Sequence, residues 1–336
     1  MIQRQFAPHI HTEINAPFMY LNVLVALMPM VCASIFNYGL KALLLIMFSM
    51  ILFFLSDRVC SSLFRGSNSR TTSRKNNSNT DYYDLSSLVS GLIFALMLPA
   101  NTPIWVVAVG VLFASVIVKQ MMGGVGSNVF NPAISGRLFI ELCFPEACSL
   151  WAKTHFEMAD VSSFFMLDEA KKIEKADLST LHFVEILSGD FPTYIGLGCG
   201  VIILIGALYL IGKGIIRGYA FVGYNIGVTL MYLFFNMANI LSFQGIREFA
   251  VFYLTSGVIF ISAFALGDFT TMPVNRTIRF FLSLLEGAYT YYLMRAGAPE
   301  VSTIVALCVP VLLLNIATPI ADFFGMRSRK EGGDAL

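Results

Sequence analysis

The sequence predicts an all-α, polytopic membrane protein of about ten transmembrane helices. Of its 336 residues, 57% are hydrophobic and 13% charged, about half the charged share of an ordinary soluble domain. The mean hydropathy is +0.73. The apolar residues are also grouped in blocks of about 20, the length a helix needs to cross hydrocarbon. A balance of 22 Lys+Arg against 21 Asp+Glu leaves no basic surface of the kind that neutralises nucleic-acid phosphates, so a nucleic-acid partner is excluded.

The elements follow in order. A polar, proline-containing run, APHIHTEINAP (7–17), precedes the first block and does not read as a cleavable signal peptide. Ten blocks lie at 19–39, 40–56, 85–100, 103–119, 127–147, 193–212, 218–239, 249–267, 279–296 and 301–323. They divide the chain into a first membrane half (1–147, five spans, with a basic loop at 57–84), an acidic outer loop (148–192), a second membrane half (193–324, five spans) and a tail (325–336). Lys and Arg are twice as frequent in the connections on the N-terminal side, which predicts that both termini are cytoplasmic. RGSNSRTTSRKNNSNT (65–80) is too poor in apolar residues to pack and reads as a mobile loop whose charges meet anionic lipid. Five spans on either side of the outer loop, starting from opposite faces, are the arrangement of a 5+5 inverted repeat. The six cysteines form no CxxC pair and read as thiols buried in helices.

The informative places are where the apolar pattern breaks. Backbone in hydrocarbon must satisfy its own hydrogen bonds, so Pro and Gly clusters survive there only inside protein or along a cavity. In DLSSLVSGLIFALMLPANTPIW (84–105), Pro99 and Pro103 end one helix and begin another, as in a tight hairpin. In GGVGSNVFNPAISGRLFIELCFP (123–145), a glycine-rich stretch with Gly124 and Asn128 meets Asn131-Pro132 and then a helix with Arg137 and Glu141. Pro132 suits a first helical position and Asn131 a cap, so that helix start presents positive partial charge to an anionic ligand. Arg137 and Glu141, four residues apart, either neutralise each other or serve a ligand. LGDFTTMPVNRTIRFF (266–281) repeats the pattern of a polar, proline-containing turn before a helix, with Asp268, Thr270 and Arg279 near the boundary. Glu286 lies two turns further in, where an ionisable group is costly and marks either a salt bridge or, with Glu141, an ion path. The last break is GAPEVSTIVALCVPVLLLNIATPIADFF (297–324), with Pro310 and Pro319 inside a span. None of these places holds a nucleophile–base pair, a P-loop, a GxGxxG turn or clustered His and Cys, so hydrolytic and ATP-driven chemistry has no support in them.

The order of these motifs resembles one family: the D-type membrane component of the Rnf ion-translocating oxidoreductase (the Rnf electron transport complex) and its homologue, the B-type component of the sodium-translocating NADH:quinone reductase. APHI (7–10), DLSSLVSGLIFALMLP (84–99), GGVGSNVFNPA (123–133) with Phe144-Pro145, Asp268 with Pro273 and Arg279, and Pro299-Glu300 with Asn315, Pro319 and Asp322 match in order over nearly the whole chain. GGVGSNVFNPA is the specific motif. The resemblance implies a fold like that of urea transporters, within an assembly of six subunits that couples electron flow from reduced ferredoxin or NADH to Na+ or H+ movement. It also implies FMN, joined through its phosphate to a Thr in an outer Ser-Gly-Ala-Thr motif, and a second, non-covalent flavin, riboflavin. The isoalloxazine ring would then carry the chemistry while the protein supplies position and polarity.

The chain departs from that pattern in the outer loop, where no Ser-Gly-Ala-Thr occurs. KADLSTLHFVEILSGD (175–190) stands in its place, with Thr180 as the positional candidate for attachment. The resemblance therefore names Thr180, Gly124, Asn128, Asn131, Arg137, Asp268, Thr270 and Arg279 as cofactor-contacting candidates. A small-solute or ion channel on the same kind of scaffold is the competing reading.

Overall fold

The computed structural model describes residues 16–65, 77–124, 126–150, 183–189, 191, 193–216, 218–237, 242–267, 271–296 and 302–333. In chain order the helices are α1 (Ala16–Tyr38), α2 (Leu40–Arg65), α3 (Asn77–Leu96), α4 (Ile104–Leu112), α5 (Pro132–Cys143), α6 (Pro145–Cys148), α7 (Phe183–Ser188), α8 (Gly200–Gly212), α9 (Gly218–Phe235), α10 (Phe243–Thr255), α11 (Val258–Phe260), α12 (Arg276–Ala296) and α13 (Thr303–Gly333). Two of them continue as π-helix, α4 through Phe113–Gln120 and α11 through Ile261–Ala265. The all-α class is as the composition predicts.

The number of spans is not. Among the described residues four helical stretches are long and apolar enough to cross a membrane: Ala16–Tyr38, Leu40–Leu63, Gly218–Phe235 and Thr303–Phe323. A fifth is added if the pair Gln244–Thr255 and Val258–Ala265, bent by 52°, counts as one span. This replaces the expected ten spans, and the described residues offer no support for a 5+5 repeat or a urea-transporter-like fold.

The physical reason is that an apolar block is not a helix. In 193–212 the helix begins only at Gly200. The preceding residues form a turn, and Ile195 N–H donates to the Leu98 carbonyl (2.9 Å) and Gly196 N–H to that of Leu96 (2.7 Å). In 127–147, Pro132 and Pro145 confine α5 to 12 residues. The 249–267 block breaks at Gly257, which adopts the left-handed φ of 77° that an L side chain disfavours. α12 carries Arg276, Arg279, Glu286 and Arg295, which lower its hydropathy. The charged ends differ from expectation in the other direction: α2 runs on to Arg65 and α3 starts at Asn77, so helix occupies both ends of the expected 57–84 loop. The middle of that loop, 66–76, and most of the expected outer loop, 151–182, lie outside the described residues.

Packing is close where small residues allow it. A Cβ on Gly91 of α3 would lie 2.9 Å from Met50 Cα of α2, and Ser49 Oγ donates to the Gly91 carbonyl at 2.9 Å. α9 and α12 meet at Gly223, Gly227 and Gly287, the small-residue contact of helices packed within a membrane. Phe36, Leu40, Leu63 and Phe234 are exposed, the outward apolar surface of a protein solvated by lipid tails. The turn before α12 is clasped by α13, with Thr318 Oγ1 donating to the Thr271 carbonyl (3.1 Å) and Val274 N–H to Asp322 Oδ1 (3.0 Å).

Candidate cofactor cleft

Two of the broken stretches meet. Asn128, Asn131 and Pro132 form one wall of a cleft, and Ala263, Phe264 and Gly267 another. α1 contributes Tyr20 and Val23, α3 contributes Ser86, Val89, Ser90 and Ile93, and the first π-helical segment contributes Lys119. The outline of the cleft, its open mouth and adjoining solvent included, takes in about 610 Å³ of atom-free space. Both π-helical segments line it, and such irregular turns are frequent at functional sites.

The walls are fixed by local chemistry. Asn131 Oδ1 accepts from Ala133 N (3.1 Å) and Ile134 N (3.4 Å), capping α5 as its sequence predicts. Its Nδ2 donates to the Ala265 carbonyl at 3.4 Å, tying the first break to the second. Asn128 accepts from Gly126 N at 3.2 Å and donates to the Phe130 carbonyl at 3.1 Å. Gly123, Gly124 and Gly126 all have positive φ, so the backbone turns there without steric cost. Gly124 N–H donates to the Lys119 carbonyl at 2.9 Å, so Gly124 shapes the turn without being a wall of the cleft.

The remaining candidates are dispersed. Arg137 and Glu141 do not line the cleft; Nη2 and Oε2 lie 2.7 Å apart, an ion pair whose angles fall short of an aligned hydrogen bond. Arg137 Nε donates to the Met97 carbonyl (2.8 Å), and its guanidinium stands 5.6 Å from the centre of the Tyr194 ring. Arg137 thus joins α5 to the turns at Met97 and Tyr194, a positioning role. Arg279 donates from Nε to the Pro273 carbonyl at 2.8 Å and from Nη2 to the Val274 carbonyl at 3.4 Å, closing the turn onto α12. Glu286 is buried between α9 and α12, and neither carboxylate oxygen has a hydrogen-bond partner among the described residues. Thr180, Asp268 and Thr270 lie outside the described residues.

Sequence reasoning missed Asp57 and Lys119. Lys119, at the end of an apolar block, reads as a cytoplasmic boundary charge and Asp57 falls at the start of the expected basic loop, yet they form a buried pair at 2.5 Å. The available signal was the serine beside or near each one, Ser56 and Ser115, inside otherwise apolar runs.

These features define a multi-pass α-helical membrane protein whose broken helices enclose a polar-edged cleft. Comparison with known proteins narrows the class. The chain belongs to the NQR2, RnfD, RnfE family, whose model matches residues 3–330. It is 27% identical to the D-type component of the Na(+)-translocating ferredoxin:NAD(+) oxidoreductase complex of Acetobacterium woodii, over 95% of this chain and 92% of the relative. The D-type component of the proton-translocating ferredoxin:NAD(+) oxidoreductase complex of Clostridium ljungdahlii is 26% identical over the same shares, 95% and 92%. That of the ion-translocating oxidoreductase complex of Alcanivorax borkumensis is 26% identical over 95% and 93%.

Proposed function

We propose that the chain is the flavin-carrying membrane subunit of an Rnf-type ion-translocating oxidoreductase in a bacterial inner membrane, with both termini cytoplasmic. It would assemble with the other subunits of such a complex and pass electrons between ferredoxin and NAD couples while Na+ or H+ moves. The observation that carries this reading is the cleft between the Asn131 turn and the Ile261–Ala265 segment. An isoalloxazine ring has an apolar edge and a hydrogen-bonding edge. Val89, Ile93 and Phe264 suit the first; Ser86, Ser90 and Asn128 suit the second. These residues would hold and orient a non-covalent flavin such as riboflavin, which when bound supplies the electron-accepting chemistry that no side chain here provides.

FMN attached through its phosphate at Thr180 is the second part of the proposal, and one experiment separates the two sites. The complex is purified, its absorption spectrum taken, and the denatured chain inspected for in-gel fluorescence. A band that survives denaturation and vanishes in Thr180→Val assigns covalent attachment there. Flavin released on denaturation assigns it to the non-covalent cleft, and an intact but colourless complex overturns the redox role.

For the ion path, Glu141 is already paired with Arg137, whereas Glu286 keeps two buried oxygens without hydrogen-bond partners among the described residues. Buried ionisable groups without partners in membrane proteins mark ion and proton routes. Glu286→Gln is expected to lower redox-driven ion uptake into proteoliposomes at least tenfold while leaving flavin content unchanged. Undiminished uptake would remove Glu286 from the path.

A further inference from the structure

Asp57 and Lys119 take no part in the reading so far, although the chain invests a buried polar cluster in them. Lys119 Nζ lies 2.5 Å from Asp57 Oδ2, and the two side chains are 2% and 8% exposed. Ser115 Oγ and Gln120 Nε2 donate to Asp57 Oδ1 at 3.2 and 3.1 Å, and Ser87 Oγ donates to Oδ2. Lys119 also donates to Ser87 at 3.2 Å, and Ser56 and Ser115 share a hydrogen bond of 2.6 Å. The anion is therefore solvated by side chains of α3 and of the first π-helical segment.

The pair has an orientation. Lys119 is part of the cleft wall and Asp57 is not, so the positive member stands toward the cleft and the negative member behind it. At so little exposure water screens the pair weakly, so its field acts on a ligand in the cleft beyond direct contact. Stability alone does not account for it, because apolar side chains of similar volume commonly serve a core as well as a buried ion pair does.

We propose that the Asp57–Lys119 pair sets the reduction potential of the ring held in the cleft, Lys119 favouring the electron-richer state and Asp57 moderating that preference. The inference rests on the flavin reading of the cleft. Asp57→Asn keeps an acceptor for Lys119 but removes the countercharge. The double variant Asp57→Asn/Lys119→Met removes both charges and leaves none buried alone, so it carries the test should the single variant fail to assemble.

The experiment is a mediator-coupled redox titration of the purified complex, following the flavin component that Ser90→Phe removes by filling the cleft. The expected order is Asp57→Asn above wild type and the double variant below it. At the wild-type midpoint, Asp57→Asn should raise the reduced-to-oxidised ratio about tenfold, about 30 mV for a two-electron couple. Equal midpoints in all three proteins, with flavin bound in each, would leave the pair a purely structural role and overturn the inference; so would the reverse order. A wild-type complex with no cleft flavin would overturn the flavin reading, and this inference with it.

Discussion

Asn131 holds the two broken stretches together with one side chain. Its oxygen caps α5 and its amide nitrogen reaches the Ala265 carbonyl. Only the capping half is visible in the sequence, because Asn before Pro at a helix start is a local signal and the contact to Ala265 spans 134 positions. Arg137 illustrates the same limit. Its pairing with Glu141 follows from their spacing, whereas its bond to Met97 and its place beside Tyr194 required the fold. Because Arg137 is fully buried, Arg137→Met is expected to destabilise the protein by about 3–5 kcal/mol, since it leaves the Glu141 charge uncompensated. Arg137→Met/Glu141→Leu should recover most of that loss. Thermal denaturation in detergent checks both, and a single variant as stable as wild type would show that the pair holds nothing in place. Apart from the neighbouring serines, Asp57 and Lys119 gave little to read for a simpler reason: a charge at the end of an apolar block looks the same whether the helix stops there or, as in α2, continues past it to Arg65.

At the scale of elements, the helical class was legible and the helix lengths were not. Hydropathy marks residues that avoid water, and the non-helical backbone at 193–199 is buried as a helix would be, with Ile195 and Gly196 pairing to Leu98 and Leu96. Composition cannot distinguish the two, one reason why ten blocks correspond to four or five long apolar helical spans among the described residues. The α9–α12 interface makes an element-scale prediction. A Cβ on Gly287 would lie 2.0 Å from the Tyr224 carbonyl oxygen, and one on Gly227 2.0 Å from that of Leu284. Gly287→Ala must push the helices apart and is expected to cost about 1–3 kcal/mol. Gly212→Ala, with nothing within 4 Å, should be neutral by the same assay. Equal stability of the two variants would contradict the close packing described for this pair. Glu286 lies one residue before Gly287, so the same separation would also disturb the environment of the proposed ion-path carboxyl.

For the molecule as a whole, its motifs in series were more informative than its composition. GGVGSNVFNPA contributes Asn128, Asn131 and Pro132 to the cleft, and its glycines supply the positive φ angles of the turn beside it. The opposite wall comes from a stretch whose apolar residues Ala263 and Phe264 carry no signal of their own and are brought into place by the break at Gly257. The chain belongs to the NQR2, RnfD, RnfE family, and in the function proposed for it chemistry is delegated to a bound flavin. The most direct test of that claim is the flavin content per copy of this chain in the purified complex, wild type against Ser90→Phe, which puts an aromatic ring into the cleft from α3. The account predicts one non-covalent flavin in the wild type and its loss from an otherwise assembled Ser90→Phe complex. Full flavin occupancy in the filled cleft would contradict it.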